Sequence, residues 1–296
     1  MFSTDKKVRY AFLSILSNTT LIIIKVIAGI LSGSVSIISE AIHSGMDLAA
    51  SMIAFFSVRQ STKPADREHP YGHGKIENIS GMAEGLLIFV AAAMIIIEAL
   101  KKIYKPVEIE QATVAIIVML ISALVNFFIA RKLYQVSREE DSMALRADAL
   151  HLKTDVYTSL GVGLGILLIK LTGIHILDPI IAMLVALLII MEAYKLCKNA
   201  YDYLLDTKLT DAEVIKIEKI ICQYNDKIKD FHKIKTRKSG NMKHIDFHIT
   251  VDPQLTVAES HKIIGCLKKD MAEEFKYTRV SVHVDPQREE EQQNIP

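Results

Sequence analysis

Residues 35–58 read VSIISEAIHSGMDLAASMIAFFSV, an apolar run long enough to cross a bilayer that nevertheless carries His43 and Asp47. A second run, residues 143–171, reads MALRADALHLKTDVYTSLGVGLGILLIKL and carries His151 and Asp155 at the same spacing. Four positions is about one helical turn, so the two side chains of each pair share a face. Ionisable groups inside lipid are costly and face a partner, a cavity or an ion. A lone intramembrane histidine is ordinarily a packing residue, but two HxxxD pairs on separate helices point elsewhere. Two imidazoles and two carboxylates make a four-ligand set suited to Zn²⁺ or a similar divalent metal.

Outward from these runs, the chain divides by composition. Half of its 296 residues are hydrophobic and they come in blocks. Six blocks approach the roughly 20 residues that span a bilayer: Ala11–Leu31, Val35–Val58, Ile79–Leu100, Ala112–Ala130, Met143–Leu171 and Ile176–Leu196. The fourth carries no charge; the second and fifth, which hold the HxxxD pairs, are the least apolar. The basic start (Lys6, Lys7, Arg9) precedes an apolar run without a small-residue cleavage site, so the first run reads as a retained helix. Arg59, Lys63, Arg67 and Lys75, then Arg131, Lys132 and Arg138, then Lys195 and Lys198 fall on the same side. That asymmetry puts both termini in the cytoplasm. A net charge of +1 gives no reason to invoke nucleic acid. Cys197, Cys222 and Cys266 form no CxxC, which argues against a disulfide framework or a thiolate zinc site.

After about Asp206 the pattern is that of a soluble domain. Thr210 with Glu213 opens a helix that runs to about Tyr224. Phe231–Arg237 reads as a strand, Ser239-Gly240-Asn241 as a turn, and Lys243–Val251 as a strand with Ile245, Phe247, Ile249 and Val251 on one face. Val257–Phe275 is an amphipathic helix and Arg279–Asp285 alternates again. The order αββαβ implies a small open sheet with helices on one face. The Glu- and Gln-rich tail from Arg288 reads as disordered. The expected domains are therefore 1–205 in the membrane, 206–287 in the cytoplasm, and a tail, 288–296.

Two further groups have metal-ligand character. The loop after the second run places Asp66, His69 and His73 in a DxxHxxxH spacing, for which a solvated polar loop is the plain alternative. In the soluble domain, strand alternation puts His248, His283 and Asp285 on the face opposite the apolar one. His232 starts another strand and His261 edges a helix's apolar stripe, so these five residues can converge on one side of the sheet. Lys25 and Glu84, inside apolar runs, read as paired groups or cavity linings. Gly161, Gly163 and Gly165 read as helix-packing positions, since no strand–loop–helix context for phosphate exists.

The stretches SEAIHSGMD (39–47), DREHPYGHGKIE (66–77) and ALRADALHLKTD (144–155), with the histidine pattern of the C-terminal domain, resemble the cation diffusion facilitator family, and most its bacterial zinc/proton antiporters. The resemblance runs from the first helix to about Pro286. It implies six transmembrane helices and a ferredoxin-like cytoplasmic domain, and a homodimer that exports cytoplasmic Zn²⁺ against inward protons by alternating access. His43, Asp47, His151 and Asp155 would be the transport site, and Asp66, His69 and His73 a loop site. His232, His248, His261, His283 and Asp285 would hold a binuclear site at the dimer interface. Lys75 and Asp206 match a charge pair of such dimers. His43 stands where close bacterial relatives often have aspartate, giving a His₂Asp₂ set like that of animal zinc transporters, and nitrogen-richer sites disfavour Mn²⁺ and Mg²⁺. Residues 134–141 lack the histidine-rich loop of many eukaryotic members, which favours a bacterial cytoplasmic membrane.

Three alternative readings fit the sequence. The same site also suits Fe²⁺, Co²⁺ or Cd²⁺. An intramembrane zinc hydrolase would keep an open coordination position and a general base, whereas this set has four ligands and no HExxH, so an enzyme is not expected. A membrane-tethered sensor would need the cytoplasmic site without the intramembrane ligands.

Overall fold

The computed structural model describes residues 5–32, 35–104, 112–174 and 176–287. The tail expected to be disordered and the side chain of His43 lie outside the described residues. Six long helices come first: α1 (Lys6–Ser32), α2 (Val35–Ser61), α3 (Ile76–Tyr104), α4 (Ala112–Glu139), α5 (Met143–Thr172) and α6 (Leu177–Leu204). Each has 27–30 residues. At about 1.5 Å per residue, that exceeds the ~30 Å hydrocarbon core of a bilayer. Lys6–Leu31, Ile76–Tyr104, Met119–Glu139 and Leu177–Leu204 are long and apolar enough to span one. Helices α2 and α5 are as long but interrupted by the polar residues that give the chain its chemistry.

Two compact units divide the chain, residues 1–201 and 202–296. In the first, α1 packs on α2, α4 on α5, and α5 also against α2 and α3. Its surface is apolar: Leu16, Ile27, Leu87, Val90, Phe128, Leu187 and Leu188 are all exposed. The interior mixes an apolar cluster that includes Val58, Leu133, Leu145 and Leu152 with buried polar groups, among them Ser14, Asn18, Ser51, Glu84 and Asp148. An apolar exterior suits lipid as the solvent, and the buried polar groups hydrogen-bond one another. Asn18 donates to Ser51 Oγ at 2.7 Å, Ser14 and Ser51 share a bond of 3.0 Å, and Ser51 donates to Asp148 at 3.0 Å. Helices α1, α2 and α5 are thereby tied together. Lys7 and Glu77, both buried, form an ion pair at 2.7 Å, and Ser61 and Ser142 also donate to that carboxylate. Lys25 donates to Ser44 at 2.7 Å and Ser80 to Glu84 at 3.0 Å, so both charges inside apolar runs have polar neighbours.

Small residues set the closest helix approaches. A Cβ at Gly161 of α5 would lie 2.9 Å from Val185 of α6, and one at Gly85 of α3 would collide with Cys197 Sγ of α6. Gly161 thus packs closely, as expected of it; the side-chain surroundings of positions 163 and 165 lie outside the described residues.

The second unit is built from α7 (Asp211–Cys222), β1 (Asp230–Ser239), β2 (Met242–Val251), α8 (Val257–Glu274) and β3 (Thr278–Pro286). Thr210 with Glu213, and Thr256 with Glu259, form reciprocal capping boxes at the starts of α7 and α8. Strand β2 pairs antiparallel with β1 and parallel with β3, giving the order β1-β2-β3. Gly240, with φ of 60°, turns the β1–β2 hairpin, where a left-handed backbone favours glycine. Ile245, Phe247, Ile249 and Val251 on one face of β2 form a core with Ile217 and Ile221 of α7 and Leu267 and Met271 of α8. The αββαβ order and one-sided helix packing match the sequence reading. The fold is a helical transmembrane domain followed by a small α+β domain.

Candidate metal centres

Helices α2 and α5 bring Asp47 and His151 together across 104 residues of sequence: His151 Nε2 lies 3.1 Å from Asp47 Oδ1. The His151 side chain is only 13% exposed and that of Asp47 only 9%. Asp155, one turn beyond His151, joins them, and the three offer ligand atoms all within 4.8 Å of one another. Asn126 of α4 donates to Asp155 Oδ2 at 3.3 Å, fixing that carboxylate from a third helix. His43 lies on α2 one turn before Asp47, and its side chain is outside the described residues. The set so far is one imidazole and two carboxylates.

The loop between α2 and α3 forms a second group. Asp66 Oδ1 accepts from the backbone N–H of Glu68 at 3.0 Å and of His69 at 2.6 Å, and lies 3.2 Å from His69 Nδ1. Asp66 Oδ2 is 3.3 Å from His73 Nε2, and the two imidazole rings are 4.5 Å apart. The His69 amide bond, more than any other contact, holds the Asp66 carboxyl below its ordinary range. An ionised carboxylate between two imidazoles is a ready donor set, and the three again lie within 4.8 Å of one another.

In the second unit, strand register explains the third group. His232 is the cross-strand partner of His248, and His248 of His283, so three imidazoles line up across β1, β2 and β3. Asp285, two residues past His283, is on the same face. Its Oδ2 is 2.8 Å from His248 Nδ1 and 3.4 Å from His232 Nε2, while Oδ1 is 3.3 Å from His283 Nε2. The His248 bond is the main cause of its lowered pKa. His232, His248 and Asp285 form the tight set within 4.8 Å, with His283 stacked 4.6 Å from His248. His261 is exposed on α8, two residues before the buried Ile263. About 200° around a helix separates such positions, so His261 is on the outer side of α8, with the sheet between it and the histidine row. Within one protomer, four of the five residues converge and His261 does not.

Three features had no clear signal in the sequence. Asn126 is a single amide in the uncharged run 112–130. A bulge between His232 and Lys235 inserts one residue into β1, with Lys233 at φ of 53°; it lets both Phe231 and Ile234 reach the core while His232 keeps its place in the row. His244, on the same strand face as His248, is buried beside its cross-strand partners Arg237 and Arg279. Two cations make poor company for a metal, and burial is the main reason its pKa is lowered.

Residues 11–205 match the cation efflux transmembrane domain, and residues 209–287 match the cation efflux protein cytoplasmic domain. The chain belongs to the cation diffusion facilitator family. Among its relatives, the "Uncharacterized transporter sll1263" of Synechocystis sp. is 34% identical over 277 residues, covering 94% of this chain and 89% of that one. The "Cation-efflux pump FieF" of Pectobacterium atrosepticum is 31% identical over 266 residues, covering 90% and 88%. FieF of Klebsiella pneumoniae subsp. pneumoniae is 30% identical over 268 residues, with 90% and 89% covered. Membership in this family makes the chain a multi-pass membrane transporter for cation efflux, and excludes the enzyme reading.

Proposed function

We propose that the chain is a homodimeric Zn²⁺/H⁺ antiporter that exports zinc across the cytoplasmic membrane, with both termini in the cytoplasm. The observation that carries this reading is the buried meeting of Asp47, His151 and Asp155. His43 would supply the fourth donor of a His₂Asp₂ tetrahedron, the arrangement zinc prefers. Nitrogen donors disfavour Mn²⁺ and Mg²⁺ relative to zinc.

Proton coupling is supported by the contact between His151 and Asp47, 3.1 Å between Nε2 and Oδ1. A metal and a proton compete for these same two atoms, and an imidazolium in the metal-free site would release one proton as the cation enters. Metal leaving on one side and a proton returning on the other is antiport. Asp66, His69 and His73 would form a loop site at the membrane boundary. His232, His248, His283 and Asp285 would bind zinc in the cytoplasmic domain, with His261 contributing at the interface between protomers.

The test is flux in proteoliposomes under an imposed pH gradient, comparing Zn²⁺, Cd²⁺, Fe²⁺, Co²⁺ and Mn²⁺. Zinc flux that collapses with the gradient is expected. Faster Fe²⁺, Co²⁺ or Cd²⁺ flux would reassign the substrate, and gradient-independent zinc flux would remove the antiport.

A further inference from the structure

A cleft of about 270 Å³ opens between α4, α5 and α6, near the end of the bundle where α4 turns into α5. Arg131 and Tyr134 from α4, Arg146 and Lys153 from α5, and Glu192 and Lys195 from α6 line it. On each helix these positions are three or seven residues apart, so each helix presents one face. Four cations meet one carboxylate, and that carboxylate is already held by Lys195 at 2.9 Å. Lys153 and Arg146 also act electrostatically on Glu192. Phe127 and Leu150 make the remainder of the wall apolar.

This combination is expensive in lipid unless an anion answers it. Arg131, Arg146, Lys153 and Lys195 are all exposed on the outside of helices that cross the membrane. Cations so placed reach toward the boundary with water and seek counter-charge there. A volume just under the ~300–1,000 Å³ of ordinary ligand pockets suits a headgroup rather than a whole lipid. The exposed Phe127 and the half-buried Leu150 can accompany the first acyl carbons. Basic clefts between transmembrane helices are established acceptors of anionic headgroups.

We propose that this cleft is a binding site for an anionic phospholipid, with the phosphodiester held by Arg131, Arg146 and Lys195 and the acyl chain laid along Phe127. The ligand chemistry is a phosphate ester, and the source is the bilayer. The site shares no residue with the Asp47, His151 and Asp155 cluster and does not depend on which metal is carried.

The chain contains no tryptophan, which supplies the test. In full-length protein carrying Phe127→Trp, the sole indole reports on the cleft. It is reconstituted in phosphatidylcholine vesicles, with brominated phosphatidylglycerol or brominated phosphatidylcholine added at equal mole fraction. Stronger quenching by the brominated phosphatidylglycerol is expected. Adding Arg131→Ala and Arg146→Ala should weaken that preference about fivefold per cation removed. Lys132→Ala, which removes an exposed cation outside the cleft, should leave it intact. Equal quenching by both lipids in the protein with Phe127→Trp alone overturns the proposal without any charge variant having to fold. So does relief of quenching by millimolar glycerol phosphate, which would make the ligand a soluble anion, or a preference that survives the double alanine variant.

Discussion

The membrane cluster and the cytoplasmic cluster use the same side chains in opposite surroundings. Asp47 and His151 are nearly sealed from solvent, whereas Asp285 and His283 are 33% and 66% exposed. In the cytoplasmic domain an uncovered imidazole or carboxylate is solvated by water, so the cluster tolerates being empty. In the membrane the same groups rely on one another, on neighbours such as Asn126, and on the ion that arrives. Charge in a low-dielectric interior must be matched at every moment, by metal or by proton. The buried cluster is therefore suited to exchange, and the exposed one to reporting or stabilising.

The largest effect should come from the buried side. Asp47→Ala or Asp155→Ala removes one of the proposed carboxylate ligands, and zinc flux into vesicles should fall to background. The protein should remain folded and dimeric by size-exclusion chromatography. Substantial flux in both variants would mean that the ion passes elsewhere, and the contrast between the clusters would collapse.

Asn126 sharpens the same side of the comparison. It touches Asp155 rather than the ion, so Asn126→Ala should lower zinc flux by about 10–100-fold, the usual range for groups that orient a metal ligand. Asn126→Asp would add a charge and is a harsher change. Flux equal to that of the unaltered protein in Asn126→Ala would show that Asp155 needs no support from α4.

On the exposed side, His248→Ala removes the centre of the histidine row. In a background where Asp155→Ala has silenced the membrane cluster, zinc binding to the full chain by calorimetry should weaken about 10–100-fold. With the membrane cluster intact, transport should slow only severalfold. Complete loss of flux from His248→Ala alone would make the cytoplasmic cluster part of the transport cycle.

The contrast also explains what the sequence discloses. Asp47, His151 and Asp155 are legible because a charge within an apolar run stands out, and helical spacing places His151 and Asp155 on one face. The histidine row was legible because period-2 alternation separates the faces of a strand. What stayed hidden depends on packing between distant elements. Lys7 reads as one of several basic residues setting orientation, yet the fold buries it against Glu77. Arg131, Arg146, Lys153 and Lys195 give no sign in the sequence that three helices gather them around one cleft. His261 read as the edge of an apolar stripe, but a two-residue offset from Ile263 turns it outward. The bulge at Lys233 has no composition of its own, since a lysine there would serve equally well in a regular strand.

The smallest expected effect concerns His244, four residues from His248 on the same strand face. Burial, with Arg237 and Arg279 beside it, lowers its pKa from the ordinary 6.5. The folded domain thus prefers the neutral ring, and the unfolded chain takes up a proton first as pH falls. Stability should decline as pH drops through about 6.5, then level off once the folded state is protonated as well. His244→Gln keeps a polar side chain of similar reach and removes the titration. Urea unfolding of the cytoplasmic domain between pH 8 and 5, without metal, should show a flatter profile in this variant than in the parent. Identical slopes would assign the acid sensitivity to the exposed histidine row instead, and His244 would then differ from His248 only in its burial.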